Sequence, residues 1–227
     1  MKISSEFSKY AASYGRYNLI QDKVADKLLH LVKNRPQYIL DLGCGSGALA
    51  KKIQWPYKKF VGVDFASGML ALHPQSEKIE CLYGDFNDKK LFAKLQSYPF
   101  DYILSASALQ WAEDIETLFK EIAALEKSFA LAIFTANTFK TLYKTTKLDP
   151  ILPSKEQLYT IGEKYLGCQF EVVEYRLEFE NVREMLRYIK RSGVSGSRNV
   201  LNYKEMKQLM QNYPLNYLEF EVAFLSS

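Results

Sequence analysis

The stretch LDLGCGSG (40–47) runs from apolar residues into glycines at 43, 45 and 47, and that spacing has a chemistry of its own. Glycines at alternate positions let a chain turn sharply and bring its backbone close to a ligand. A helix opening just beyond such a turn presents unpaired amide N–H groups. Asp64 follows 21 residues after Gly43, at the end of the next apolar run. A carboxylate there can accept both hydroxyls of a ribose, each charge-assisted bond being worth roughly 1.5–3 kcal/mol in a shielded site. A second acidic position, Asp85 in GDF (84–86), closes the third run. It can accept from an adenine amino group with Phe86 or Phe65 beside the ring, or cap the helix that NDKKLFAKL suggests. The glycines run GxGxG and not GxGxxG, which points away from a dehydrogenase.

RYIKRSGVSGSR (187–198) is the other chemically marked stretch, with four basic residues and no acidic one. Residues 181–210 carry a local charge of +5, which leaves −1 for the rest of a chain whose net charge is +4. Such a patch reads either as a solvated helix end or as a surface that meets an anion: an acidic partner, a phosphate or a nucleic acid.

The elements that must position these residues alternate. YILDLG (38–43), FVGVD (60–64), IECLYGD (79–85), DYILSAS (101–107) and FALAIFT (129–135) read as buried strands. GALAKKIQ, SGMLALH, KKLFAKLQ and DIETLFKEIAALEK lie between them with helical spacing. The order predicts an α/β fold, a mostly parallel sheet with helices on both faces. Outside it, residues 5–33 read as helix, with Ile3, Phe7, Tyr10, Tyr14 and Tyr17 at three- and four-residue steps. Later come a helix over 155–166, a strand over 170–180, helices near 181–191 and 203–212, and a strand over 217–225. The alternation of that last strand predicts one covered face, and the strand is expected to join the same sheet as part of an antiparallel edge. The 227 residues suit one domain, with an N-terminal helical lid (1–35), a ligand-binding core (36–136) and a region of late helices and final strands (137–227).

Nearly half the residues are apolar, no run reaches membrane-spanning length, and MKISSEFSKY lacks a signal-peptide core, so a cytoplasmic protein with no membrane partner is expected. Cys44, Cys81 and Cys168 form no CxxC pair, and His30 and His73 are the only histidines; neither a disulfide framework nor a metal site is expected.

Leu40–Gly47, Val61–Asp64, Gly84–Phe86 and Phe100–Ser105 together resemble the class I S-adenosylmethionine-dependent methyltransferases. The resemblance covers about 40–135 and implies a Rossmann-like, seven-stranded sheet whose final strand is antiparallel. It implies a cofactor site made of Tyr14, Leu42, Gly43, Cys44, Gly45, Asp64, Phe65, Met69, Asp85, Phe86, Ser105 and Ala106, with S-adenosylmethionine as cofactor and no metal.

The outer regions extend the resemblance to nearly the whole chain. Phe7 and Tyr14 meet an F-x(6)-Y pattern, Ser105, Gln110 and Trp111 meet S-x(4)-Q-W, Ile189, Lys190 and Gly193 meet an LK-x-x-G-like turn, and Tyr213 to Tyr217 is YPLTY-like. These look like the malonyl-acyl-carrier-protein O-methyltransferases of biotin synthesis. That family methylates the free carboxylate of a malonyl thioester, so an acidic acyl carrier protein is the implied partner, and no nucleic acid. The substrate positions it implies are Gln110, Trp111, Arg187, Lys190 and Arg191, with Tyr14 and Gln110 positioning the reactants. Tyr14 reads equally as part of a buried helical stripe and Trp111 as core; Gln110 is harder to place in a core, because an unpaired buried amide is costly. A carboxylate with a reference pKa of about 4 is already ionised at neutral pH, so no catalytic base is expected. Its attack on a methyl carbon depends on alignment, worth roughly 7–11 kcal/mol. The rival readings are a methyltransferase for another small carboxylic acid, an RNA methyltransferase, which would want an NPPY-like or PC-containing loop where SASALQW stands, and a non-catalytic binding module.

Overall fold

A computed structural model describes residues 18–191 and 203–227. The elements are α1 (Leu19–Leu31), β1 (Tyr38–Leu42), α2 (Ala48–Lys52), β2 (Lys59–Asp64), α3 (Ser67–Leu70), β3 (Ile79–Tyr83), α4 (Lys89–Leu95), β4 (Tyr102–Ala106), a 3-10 turn (Leu109–Trp111), α5 (Ile115–Ala124) and β5 (Ser128–Phe134). They continue with α6 (Lys140–Thr146), α7 (Lys155–Leu166), β6 (Gln169–Glu178), α8 (Val182–Arg191), α9 (Tyr203–Asn212) and β7 (Tyr217–Ser226). The sequence pattern foretold all of these strands and most of the helices; α6 and the 3-10 turn were not expected. No described helix is long and apolar enough to cross a membrane.

The strands form one sheet in the order β3-β2-β1-β4-β5-β7-β6. The first five pair in parallel, and β7 runs antiparallel to both β5 and β6. Successive strand residues feed opposite faces, as the two-residue period requires. Ile39 and Phe60 join Ile20, Val24 and Leu28 of α1 on one face. Leu40, Leu42, Val61 and Val63 join Phe92, Phe119, Ile122 and Leu158 on the other. Because both faces are covered, the strands read as near-continuous apolar runs and not as alternations. Residues 1–17, with Phe7, Tyr10 and Tyr14 of the expected lid, lie outside the described residues, as do 192–202 within the basic stretch.

β7 departs from expectation in one respect. It joins the antiparallel edge of the sheet as expected, yet with β6 outside it, it is covered on both faces and buried along all but its first residue. The edge belongs to β6, whose residues are exposed or half-buried in near-alternation. The apparent polar positions of β7 are Glu219 and Glu221, and both are buried. They tolerate burial because the segment after β5 brings donors to them. Glu221 accepts from Thr135 Oγ1 at 2.5 Å and from Asn137 Nδ2 at 3.0 Å, with Lys155 Nζ 3.6 Å away. Glu219 accepts from Thr141 Oγ1.

Between these carboxylates Phe220 is fully buried. Its ring lies 6.1 Å from Phe134, 5.0 Å from Phe139 and 6.4 Å from Tyr188, centroid to centroid. Truncating a large ring in such a setting removes its transfer energy and leaves a cavity. Phe220→Ala is therefore expected to lower the unfolding free energy by about 3–5 kcal/mol in urea titrations. An unchanged midpoint would mean that β7 is not part of the cooperative core.

Candidate active site

The loop after β1 folds back over the end of β2. Gly43 N and Cys44 N both donate to Val63 O, at 2.8 and 3.0 Å. The three glycines serve different needs. A Cβ at Gly43 would fall 2.2 Å from Cβ of Ala108, and one at Gly47 would fall 2.4 Å from Cδ of Pro74. Those two are packing positions. At Gly45, where φ is +52°, an added Cβ would meet nothing within 4 Å. Gly45 is where this backbone faces open space, as a ligand-binding loop requires.

Asp64, at the end of β2, is 8% exposed. Its Oδ2 accepts from Gly45 N at 2.8 Å and its Oδ1 from Ala66 N at 2.8 Å. Burial raises its pKa above the ordinary carboxylate value, and the N–H bonds from Ala66, Gly45 and Phe65 oppose the rise. An ionised carboxylate has about four acceptor sites, so these N–H bonds leave acceptor capacity for a ribose. Beneath it, Asp41 of β1 is 1% exposed, with no hydrogen-bond partner for Oδ1. Burial pushes the Asp41 carboxyl well above its ordinary range, and the negative charge of Asp64 adds to the rise. Burial also pushes the Cys44 thiol up, followed by the charges of Asp41 and Asp64, so Cys44 remains a thiol.

These residues open onto a cleft enclosing roughly 740 Å³ together with its mouth. It lies at the carboxyl ends of β1, β2 and β4, where open α/β sheets bind ligands. Gly43, Cys44, Gly45, Asp64, Phe65, Met69, Phe86, Ala106 and Trp111 of the sequence-predicted set line it together. Trp111 is both wall and packing residue, since it touches both apolar clusters. The cleft fits a nucleoside-bearing cofactor: open space over Gly45, an acceptor at Asp64, and apolar walls at Phe65, Met69 and Phe86.

Five predicted residues are placed elsewhere, the fully buried Ser105 among them. Asp85 is exposed and absent from the lining, and its Oδ1 accepts from Asn87 N at 2.9 Å and Asn87 Nδ2 at 2.8 Å. The cap of α4 is Asp88, which accepts from Lys90 N. Leu42 is fully buried behind the loop, and its carbonyl accepts from Ser105 Oγ at 2.6 Å, which ties β1 to β4. Gln110 is buried, and its Nε2 donates to Ser107 O at 2.6 Å. Its amide therefore braces the loop after β4 from behind the wall. Arg187 is exposed on α8 and outside the cleft lining. Lys190 and Arg191 end the same helix, and their side chains, like Tyr14, lie outside the described residues.

Sequence reasoning missed Asn18, Gln21 and Ala25, which bring α1 to the cleft, and Ser46, Ala48, Ser107 and Ala108. Asn18, Gln21 and Ala25 stand at i, i+3 and i+7, one helical stripe. Two amide side chains on one helical face, in step with Ala25, were the available signal.

Residues 39–128 match the methyltransferase-domain family. Over 85% of its length the chain is 26% identical to the malonyl-[acyl-carrier protein] O-methyltransferase of Methylovorus sp. (strain MP688), covering 72% of that protein. Over 98% of its length it is 24% identical to the protein of the same name from Neorickettsia risticii (strain Illinois), covering 94% of it. Among solved structures, the YcgJ protein from Bacillus subtilis is similar with a TM-score of 0.59 at 13% identity, covering 89% of this chain and 96% of that one, which is a likeness of fold.

The buried Asp41 carboxyl makes stability depend on pH. A folded-state pKa above the unfolded value means that the native state holds the proton more tightly. Stability then falls as pH rises from the ordinary value of 3.8 toward the raised one. Asp41→Asn removes that proton and keeps the shape. Its unfolding free energy is expected to vary less with pH over this window and to exceed that of the wild type at the alkaline end, read from urea titrations across a pH series. Parallel wild-type and variant curves would remove Asp41 as the titrating group.

Proposed function

We propose that this chain, an S-adenosylmethionine-dependent methyltransferase with the class I fold, transfers its methyl group to the free carboxylate of a malonyl thioester. The observation that carries this reading is the chemistry of the cleft. Its described lining offers two titratable side chains, Asp64 and Cys44. Asp64 is engaged by Gly45 and Ala66, with its remaining acceptor sites given to the ribose, and the Cys44 thiol is held protonated. Neither is a ready proton acceptor. A nucleophile that is already ionised at neutral pH needs none.

Bound there, the cofactor would supply an electrophilic methyl on a sulfonium: a carboxylate oxygen would gain the O–CH3 bond as the S–CH3 bond gave its electron pair back to sulfur, with no proton moved. The protein's part is to bind and orient. Asp64 accepts from ribose hydroxyls, Phe65, Met69 and Phe86 enclose the base, and the Gly45 backbone faces the cofactor. Trp111 and the loop after β4 wall the neighbouring space and exclude water.

Curated relatives named malonyl-[acyl-carrier protein] O-methyltransferase support a carrier-protein substrate, and on this reading the product enters biotin synthesis in the cytoplasm. The basic stretch 187–198 then meets the acidic carrier or the phosphate of its pantetheine arm. Arg187, exposed outside the cleft, suits that surface role better than a grip on the reacting carboxylate.

Methyl transfer to malonyl-acyl carrier protein, malonyl-CoA and free malonate, compared side by side, tests the reading. The methyl ester is expected to form fastest on the carrier protein. Tight cofactor binding with no malonyl ester would sink the substrate assignment and turn the search to other small acids. Arg187→Ala and Lys190→Ala are each expected to raise KM for the carrier-bound substrate on the order of twofold to fivefold, as rim charges do. Their cofactor affinity should stay unchanged by calorimetry.

A further inference from the structure

Among its described lining residues, the cleft contains one charged side chain, Asp64, and no lysine, arginine or histidine. The substrate read from this site is nevertheless an anion. Two neutral polar side chains of the same lining are left without partners. Ser107 Oγ and Gln21 Oε1 are shielded from solvent, and neither makes a hydrogen bond. They come from different elements, Gln21 from the first turn of α1 and Ser107 from the loop after β4. Buried polar atoms are ordinarily satisfied, so a pair of orphans lining one cleft calls for an occupant.

Ser107 is held in place unusually firmly. Its φ is +61°, in the left-handed region that side chains avoid. Its N–H donates to Ala132 O at 2.9 Å, and its carbonyl accepts from Gln110 Nε2 at 2.6 Å. Both backbone groups are committed and only the hydroxyl is free. Strain of this kind persists where the surroundings over-determine it, and it concentrates at functional positions. This also explains the buried glutamine: Gln110 serves as a positioning residue that fixes the Ser107 turn.

We infer that the Ser107 hydroxyl and the Gln21 amide are the donors that seat the substrate carboxylate, so that neutral groups and not a side-chain cation hold the attacking anion. The inference rests on the malonyl-thioester reading. The hydroxyl rotates to donate, and a half-turn of the Gln21 amide puts its NH2 where Oε1 now lies. Neutral donors orient a carboxylate and leave its charge available. A guanidinium or ammonium in direct contact would draw charge from the oxygen that must attack. The opposite charge in the closed cleft belongs to the sulfonium itself.

The test uses the full chain with Ser107→Ala, which keeps Cβ and hence the backbone setting, and Gln21→Leu, which keeps shape on the helix. Each is expected to raise KM for the malonyl thioester about tenfold, the loss of one hydrogen bond to a charged group. Affinity for S-adenosylhomocysteine should stay within about twofold by calorimetry, since the lost contact is to the substrate. Inhibition by acetyl-CoA, which lacks the carboxylate, should not change. The double variant should lose less than the product of the single losses, because both donors serve one group. Wild-type turnover with variants that keep the wild-type KM overturns the seat alone, and so does a loss of S-adenosylhomocysteine affinity that matches the rise in KM. A wild type that makes no malonyl ester overturns the substrate reading, and the seat falls with it.

Discussion

One carboxylate holds the site together. Asp64 takes an N–H from the loop after β1 and another from the turn after β2, one on each oxygen. Those loops end two adjacent parallel strands, whose register from Tyr38 against Lys59 to Leu42 against Val63 fixes where each must emerge. The bond to Gly45 fastens the one glycine of the loop that faces open space. The floor of the cleft is therefore preformed, and a ligand arriving there need not order it. Burial of Asp64 works against its charge, and the N–H bonds oppose that effect. Charge, loop geometry and strand register thus depend on one another at a single residue.

Much of this was legible in the sequence because the signals are local. Apolar runs of strand length, separated by helical spacing, dictate a doubly covered parallel sheet, and LDLGCGSG with Asp64 at the next strand end dictates the cleft. The illegible part is long-range. The glutamates at 219 and 221 made β7 look half-covered, yet the donors that make their burial tolerable come from Thr135, Asn137 and Thr141, some eighty positions earlier in the chain. No periodicity within β7 contains those partners. The insertion of β7 between β5 and β6 is illegible for the same reason, since strand order is decided by what each face must bury.

The site divides along the same line. Gly45, Asp64, Phe65 and Phe86 are read from motifs and meet in the cleft. Asp85 shares the motif and yet turns to Asn87, because an aspartate two residues before an asparagine can satisfy itself locally. Asn18 and Gln21 are parts of a helix whose approach to the sheet is set by Ile20, Val24 and Leu28 on the same element. Ser107 depends on a left-handed turn that no residue type there advertises, and Gln110 looked like a substrate contact because its brace, the Ser107 carbonyl, is invisible in a string of letters.

The reaction proposed for this cleft joins an anion to a methyl group carried on a cation and leaves neutral products. Charge is therefore lost on the way through the transition state, the reverse of reactions that need an oxyanion hole. Water stabilises the separated ions more than the partly neutralised transition state, so an apolar enclosure favours the forward step. Walls of Phe65, Met69, Phe86 and Trp111 supply that enclosure. A cation beside the carboxylate would restore the stabilisation that the enclosure removes. The placement of Arg187 outside the lining, with a cleft whose one charged side chain among the described residues is already committed to backbone N–H groups, is what this logic requires. Positive charge at the surface can gather an acidic carrier without entering the chemistry, and on the proposed reaction the sulfonium is the one cationic partner of the reacting anion.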